Sequence, residues 1–131
     1  MTTTEQRTLT FKIELIPMAV EDVDRAVRFY RDTLGWDVDH DQTVSDELRF
    51  VQVTPPGSAC SICFGTGLGM MPLGSSQMIQ VVVPDADAAY SYLRERRVEC
   101  SEVDEQPWGR FVGFSDPDGN RWVLQQLPAR P

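Results

Sequence analysis

Phe114-Ser115-Asp116-Pro117-Asp118-Gly119-Asn120-Arg121-Trp122-Val123-Leu124-Gln125 reads as a strand, a tight turn and a second strand. Pro117 presets φ at the first turn corner, Gly119 or Asn120 can take positive φ, and both flanks are apolar and strand-forming. An earlier stretch, Val53-Thr54-Pro55-Pro56-Gly57-Ser58-Ala59-Cys60-Ser61-Ile62-Cys63, repeats the plan. Laid together, Pro55 falls on Pro117, Gly57 on Gly119, Ser61 on Val123 and Cys63 on Gln125. The chain reads as a duplication.

The two halves extend outward from these turns in the same order. Leu9 to Val20 predicts a first strand, with Pro17 marking an edge or irregularity. Asp22 caps a predicted helix over Val23 to Leu34, whose Val23, Ala26, Val27, Tyr30 and Leu34 form one apolar stripe, and Gly35 ends it. Strands over Trp36 to Val44, Glu47 to Val53 and Ala59 to Gly65 complete a β-α-β-β-β unit. The second unit has a strand over Gln77 to Val83 and an Asp85-capped helix carrying Ala86, Ala89, Tyr90 and Leu93. Its three further strands run over Val98 to Val103, Trp108 to Ser115 and Arg121 to Leu127. Leu15 and Met78, like Asp22 and Asp85, stand 63 positions apart, and Thr54 and Asp116 stand 62 apart. A near-constant offset across strand, cap and turn marks an internal repeat. Arg97, near the place where the first half has Gly35, implies a positive-φ arginine or another helix end.

At 131 residues the chain is of single-domain size. The expected division is a disordered tail over 1–8, one domain over 9–127 and a tail over 128–131. Within the domain, 9–65 is module one, the Gly-rich 66–75 a linker and 76–127 module two. A formal charge of −8 argues against nucleic acid and anionic membrane surfaces as partners. Three cysteines, no signal peptide and no apolar run of membrane length point to reduced thiols in a cytoplasm.

The paired units, the Val20-Glu21-Asp22-Val23-Asp24-Arg25-Ala26 and Phe29-Tyr30 signature running into Leu34-Gly35-Trp36, and the Phe-Ser-Asp-Pro-Asp-Gly-Asn-Arg-Trp ending resemble the vicinal oxygen chelate superfamily. That superfamily includes glyoxalases, extradiol dioxygenases, fosfomycin-modifying enzymes and bleomycin-binding resistance proteins. The likeness covers residues 9 to 127. It implies an α+β fold of tandem βαβββ modules, whose curved mixed sheets form a central cup with the helices on the convex faces. It also implies a homodimer, which would cover exposed sheet edges.

Members that use a metal hold a divalent ion in the cup with groups on the first and fourth strands of each unit. Carried over, those positions are Leu15, Ser61, Met78 and Val123. None offers the imidazole or carboxylate that such an ion prefers, so no metal and no cofactor is expected. A one-residue slip would substitute Glu14 for Leu15 but adds no second carboxylate and no histidine.

Other candidate chemistry is thin. His40, the only histidine, lies among carboxylates in a polar strand and reads as a solvated surface residue. Cys60 and Cys63 have C-x-x-C spacing, but on a strand their side chains point to opposite faces. Gly65-Thr66-Gly67-Leu68-Gly69 lacks the following helix that a phosphate loop needs. Asp116 and Asp118 read as turn formers. Trp108 and Arg110, at the start of a strand, can stack on and pair with an aromatic or acidic ligand.

With alternate strand residues facing inward, the cup is lined by Leu15, Pro17, Ser61, Cys63, Met78, Gln80, Val123 and Gln125. That lining suits a flat or lipophilic small molecule. The expected function is metal-independent binding of a hydrophobic or aromatic small molecule, as in the resistance proteins of the resembled family. A metal-free isomerase, cyclase or lyase using Glu14, Cys63 or Arg110 is the alternative. A metal-dependent lyase or dioxygenase would need ligands the sequence does not show.

Overall fold

Residues 9–129 are described in the computed structural model. Strands β1 (Leu15–Pro17), β2 (Asp37–Ser45), β3 (Leu48–Thr54) and β4 (Ser61–Thr66) form one sheet in the order β1-β4-β3-β2. Strands β5 (Met78–Val82), β6 (Asp104–Gln106), β7 (Gly109–Ser115) and β8 (Arg121–Gln126) form a second, ordered β5-β8-β7-β6. In each sheet the first and fourth strands pair in parallel and the remaining pairs are antiparallel. The repeat in the sequence is thus a repeat in topology, and the fold is the expected α+β arrangement of two βαβββ modules.

Helix α1 (Val23–Val27) runs on as a π-helical turn over Arg28–Thr33, and α2 spans Ala86–Glu95. Both aspartate caps form: Asp22 accepts from the Arg25 N–H, and Asp85 from those of Asp87 and Ala88. Ala26, Val27, Tyr30 and Leu34 from α1 and its extension, and Ala86 and Leu93 from α2, are buried in one core shared by both modules. Neither helix is long enough to persist in water alone, so this stripe is what holds each in place.

Three elements differ from the sequence reading by more than two residues. Regular α-helix stops at Val27, because the Leu34 N–H bonds back to Phe29 rather than Tyr30. The wider turn accommodates a Tyr30 pinned at its hydroxyl and a Leu34 with no exposed surface. The first strand is shorter than Leu9 to Val20, because β4 begins at Ser61 and residues 9–13 lie beyond its end. The strand expected over Val98 to Val103 is reduced to a bridge between Cys100 and Phe114, with β6 starting at Asp104. There the Ser101 hydroxyl accepts the Gly113 N–H that a ladder carbonyl would have taken. Arg97 does sit at φ 59°, so α2 ends in a left-handed residue without glycine's freedom. The expected disordered tail over 1–8 lies outside the described residues.

One ion-pair device occurs twice. Arg49 on β3 reaches Asp24 in α1 (2.7 Å) and Asp41 on β2 (2.9 Å), while Arg110 on β7 reaches Asp87 in α2 (2.9 Å) and Glu105 on β6 (2.6 Å). Hydrogen bonds from the arginines hold the Asp41 and Asp87 carboxyls below the usual range. A depressed carboxyl contributes stability above its unfolded pKa of about 3.9 and loses it as pH falls through the folded value. Arg49→Met is therefore expected to cost under about 1 kcal/mol at neutral pH. In urea unfolding, that cost should shrink as pH falls below about 3.9 and through the lowered folded value.

Candidate functional site

The turn between β7 and β8 latches module two onto module one. Asp116, nearly buried, accepts from the Tyr30 hydroxyl (2.7 Å), from the N–H groups of Asp118 (2.9 Å) and Asn120 (2.8 Å), and from Asn120 Nδ2 (2.9 Å). Tyr30 in turn accepts from Trp122 Nε1 at 3.0 Å. Asp118 accepts from the Glu21 N–H and from Arg25, ahead of and within α1. Asn120 donates to the Ala19 carbonyl and accepts from the Gln77 N–H. Trp122 packs edge-on to Trp36 with ring centroids 4.9 Å apart. Asp116 and Asp118 are turn formers, as expected, and they also join the modules.

The repeat places a counterpart opposite every member of this latch, and none can reproduce it. Thr54 stands for Asp116, Ser58 for Asn120, Cys60 for Trp122 and Leu93 for Tyr30. Small side chains replace large ones, and no carboxylate faces a phenol. Where the latch would be, a cavity of about 720 Å³ opens between the Pro55–Ser58 turn, β1, β5 and α2. Its walls are Ile16, Ile62, Ile79, Val81, Leu124, Trp36, Trp122, Ala88, Ala89 and Tyr92, among others. The polar groups at its rim are already occupied: Ser58 donates to the Cys60 carbonyl, and Tyr92 donates to the Leu34 carbonyl. An apolar cavity of this size takes a molecule by shape and dispersion.

The eight residues expected to line a cup, and Trp108 and Arg110 beside them, do not share one cavity. Ser61 and Gln80 line the inter-module cavity. Pro17 and Cys63 line a second of about 220 Å³ beneath the segment 65–73, and Leu15 is half-buried beside Ser61. Met78, Val123 and Gln125 share with Gln80 the face of the second sheet turned away from the core, Met78 being 64% exposed, and Gln80 also reaches the cavity along the β5 edge. Gln80 there donates to Gln125, whose amide donates to the Trp108 carbonyl. Arg110 falls on the opposite, helix-facing side, because one residue along a strand reverses the face and Gln126, not Gln125, is its neighbour. Its fork is committed to Asp87 and Glu105.

The halves also differ in register. Leu15 pairs with Ser61, but Met78 pairs with Arg121, and Val123 stands beside Gln80. A slip of two residues keeps each side chain on its face. It also brings a guanidinium next to Met78, lying over Gly113 where a Cβ would come 3.2 Å from Arg121 Nη2. One hydroxyl, two apolar groups, a thioether and a neighbouring cation do not fit a hard divalent ion. Among the described residues, no three His, Cys, Asp or Glu side chains converge on a point that could hold one. His40 is exposed on β2, and burial raises the Cys60, Cys63 and Cys100 thiols above their ordinary pKa.

The sequence profile of the Glyoxalase/Bleomycin resistance protein/Dioxygenase superfamily matches residues 12–124. The chain belongs to that superfamily. Within this superfamily it is 34% identical to TnmS3, described as an antibiotic binding protein from Streptomyces sp. CB03234. The TM-score is 0.79, over 92% of this chain and 99% of that one. A glyoxalase/bleomycin resistance protein from the same strain is 36% identical, with a TM-score of 0.74 over 88% of this chain and 100% of that one. YetH from Bacillus subtilis (strain 168) is 29% identical over 119 residues, covering 88% of this chain and 98% of its own.

Apart from Ser61 and Gln80, the residues that build the inter-module cavity were missed because each half was read for its likeness to the other. The signal lay in the mismatches, above all Tyr30 against Leu93 and Trp122 against Cys60.

Proposed function

We propose that this superfamily member binds a bulky apolar or aromatic small molecule in the cavity between its modules, without a divalent metal and as a homodimer in the cytoplasm. The apolar cavity of about 720 Å³ carries the reading. The antibiotic-binding description of TnmS3, at 34% identity, supports it. The groups an enzyme reading relies on are not poised for work. Glu14 is exposed, Arg110 is held by two carboxylates, and the Cys63 thiol is buried with its pKa raised.

Trp36 and Trp122 both line the cavity, so an occupant should quench their emission. Polycyclic aromatic natural products are expected to do so and to raise the melting temperature by mass action. Ala88 lines the cavity but lies outside the core cluster, so Ala88→Phe should fill the space without disturbing the fold. The expected result is a loss of affinity of roughly a hundredfold, the cost of a steric clash of about 2–3 kcal/mol. A panel that neither quenches nor stabilises, or a response that survives Ala88→Phe, would sink the reading. Elemental analysis of the purified protein is expected to find no stoichiometric zinc, nickel, iron or manganese.

A further inference from the structure

The smaller cavity is a sulfur-lined chamber. Cys63 points into it from β4 with no exposed surface, and the linker folds back over it with Met70 and Met71. Cys63 Sγ lies 3.8 Å from Met70 Sδ, its one polar contact among the described residues. Met71 Sδ accepts from Gln77 Nε2 at 3.7 Å, and that amide is itself fixed on the Pro17 carbonyl at 2.9 Å. The remaining walls are Pro17, a further thioether at Met18, Ala19, Val20 and the glycine-rich linker, so no carboxylate, imidazole or amine lines the chamber.

We propose that Cys63, Met70 and Met71 form a binding site for a single monovalent soft metal ion, copper(I) in a reducing compartment. Thiolate and thioether donors without oxygen or nitrogen ligands select copper(I) over the harder divalent ions. Two sulfurs each about 2.3 Å from one ion and 3.8 Å apart subtend about 110° at it, an angle that three- and four-coordinate sulfur sites adopt. Binding exchanges the Cys63 S–H bond for a copper–sulfur bond and releases the proton to solvent, with no change of oxidation state. Met70 is 51% exposed, which gives the ion its way in. Gly67 (φ 73°) and Gly69 (φ 66°) set the reversal that brings the two methionines over the thiol. The site uses none of the residues at the divalent-metal positions and does not depend on the apolar cavity holding a ligand.

The test is titration of the reduced full-length protein with copper(I) under anaerobic conditions, in competition with a chromogenic copper(I) chelator. Silver(I) and methionine-methyl NMR on the same protein report which thioethers bind. One ion per chain is expected, with the methyl signals of Met70 and Met71 moving and that of Met78, outside the chamber, staying. Met70→Leu/Met71→Leu preserves shape and is expected to weaken binding roughly tenfold or more, with the melting temperature unchanged. Cys60→Ser/Cys100→Ser should bind like the parent, and Cys63→Ser should not. Equal affinity in the double-leucine chain, or binding that follows Cys60 and Cys100, would show capture by thiols alone and overturn the proposal.

Discussion

Asp116→Ala is expected to destabilise the chain by about 3–5 kcal/mol, the cost of removing one partner from a buried, charged hydrogen-bond network. The carboxylate accepts four hydrogen bonds while only 5% exposed, and alanine leaves all four donors facing one another without an acceptor. Burial first, and then the negative Asp116, push the Tyr30 phenol well above its ordinary pKa. Tyr30 therefore remains a donor wherever the protein is folded. Tyr30→Phe should cost less, about 1–3 kcal/mol, because Asp116 keeps three partners and only Trp122 Nε1 is orphaned. Urea unfolding of both variants and their double mutant should give a coupling energy of about 1 kcal/mol or more. A loss under 1 kcal/mol for Asp116→Ala would mean that the Asp116 network does not hold the modules together.

The same turn shows how much of the architecture was legible. Asp116-Pro117-Asp118-Gly119 announced a hairpin turn through the backbone demands of its residues, and such local rules carry across from sequence to structure without distortion. Asp22 and Asp85 announced helix starts in the same way. What one turn touches is another matter. That Asp116 meets Tyr30, 86 residues earlier, follows from two modules packing across a shared core, and no local rule encodes it. The strand alternation placed Leu15 with Ser61 correctly, yet the two-residue slip between β5 and β8 is set by how the modules differ. Arg110 pairs with Gln126 rather than Gln125, so it faces the helix side, where Asp87 and Glu105 take its guanidinium. Treating the halves as equal also hid the space between them. The cavity exists because they are not.

The open faces bear on assembly, and the chain is expected to sediment at about twice its 14.8 kDa at micromolar concentration. Leu9, Phe11 and Ile13 alternate with polar residues on a segment that makes no ladder among the described residues, and they are 67%, 90% and 73% exposed. Met78, Val82 and Trp108 are also exposed, on the second sheet, where β5 has a free edge. An exposed alternating apolar segment and an unpaired sheet edge are each a liability in a monomer and a means of association in a dimer. Burying one phenylalanine contributes about 2 kcal/mol, and in a two-fold interface each substitution counts twice. Phe11→Asp should therefore cost about 4 kcal/mol of association, close to a thousandfold in dissociation constant, while leaving the fold of each chain intact. Sedimentation equilibrium of the parent and of Phe11→Asp measures both quantities, and far-UV circular dichroism checks the fold. A parent protein that sediments at 14.8 kDa would rule the dimer out, and a variant that stays dimeric would move the interface away from residues 9–13.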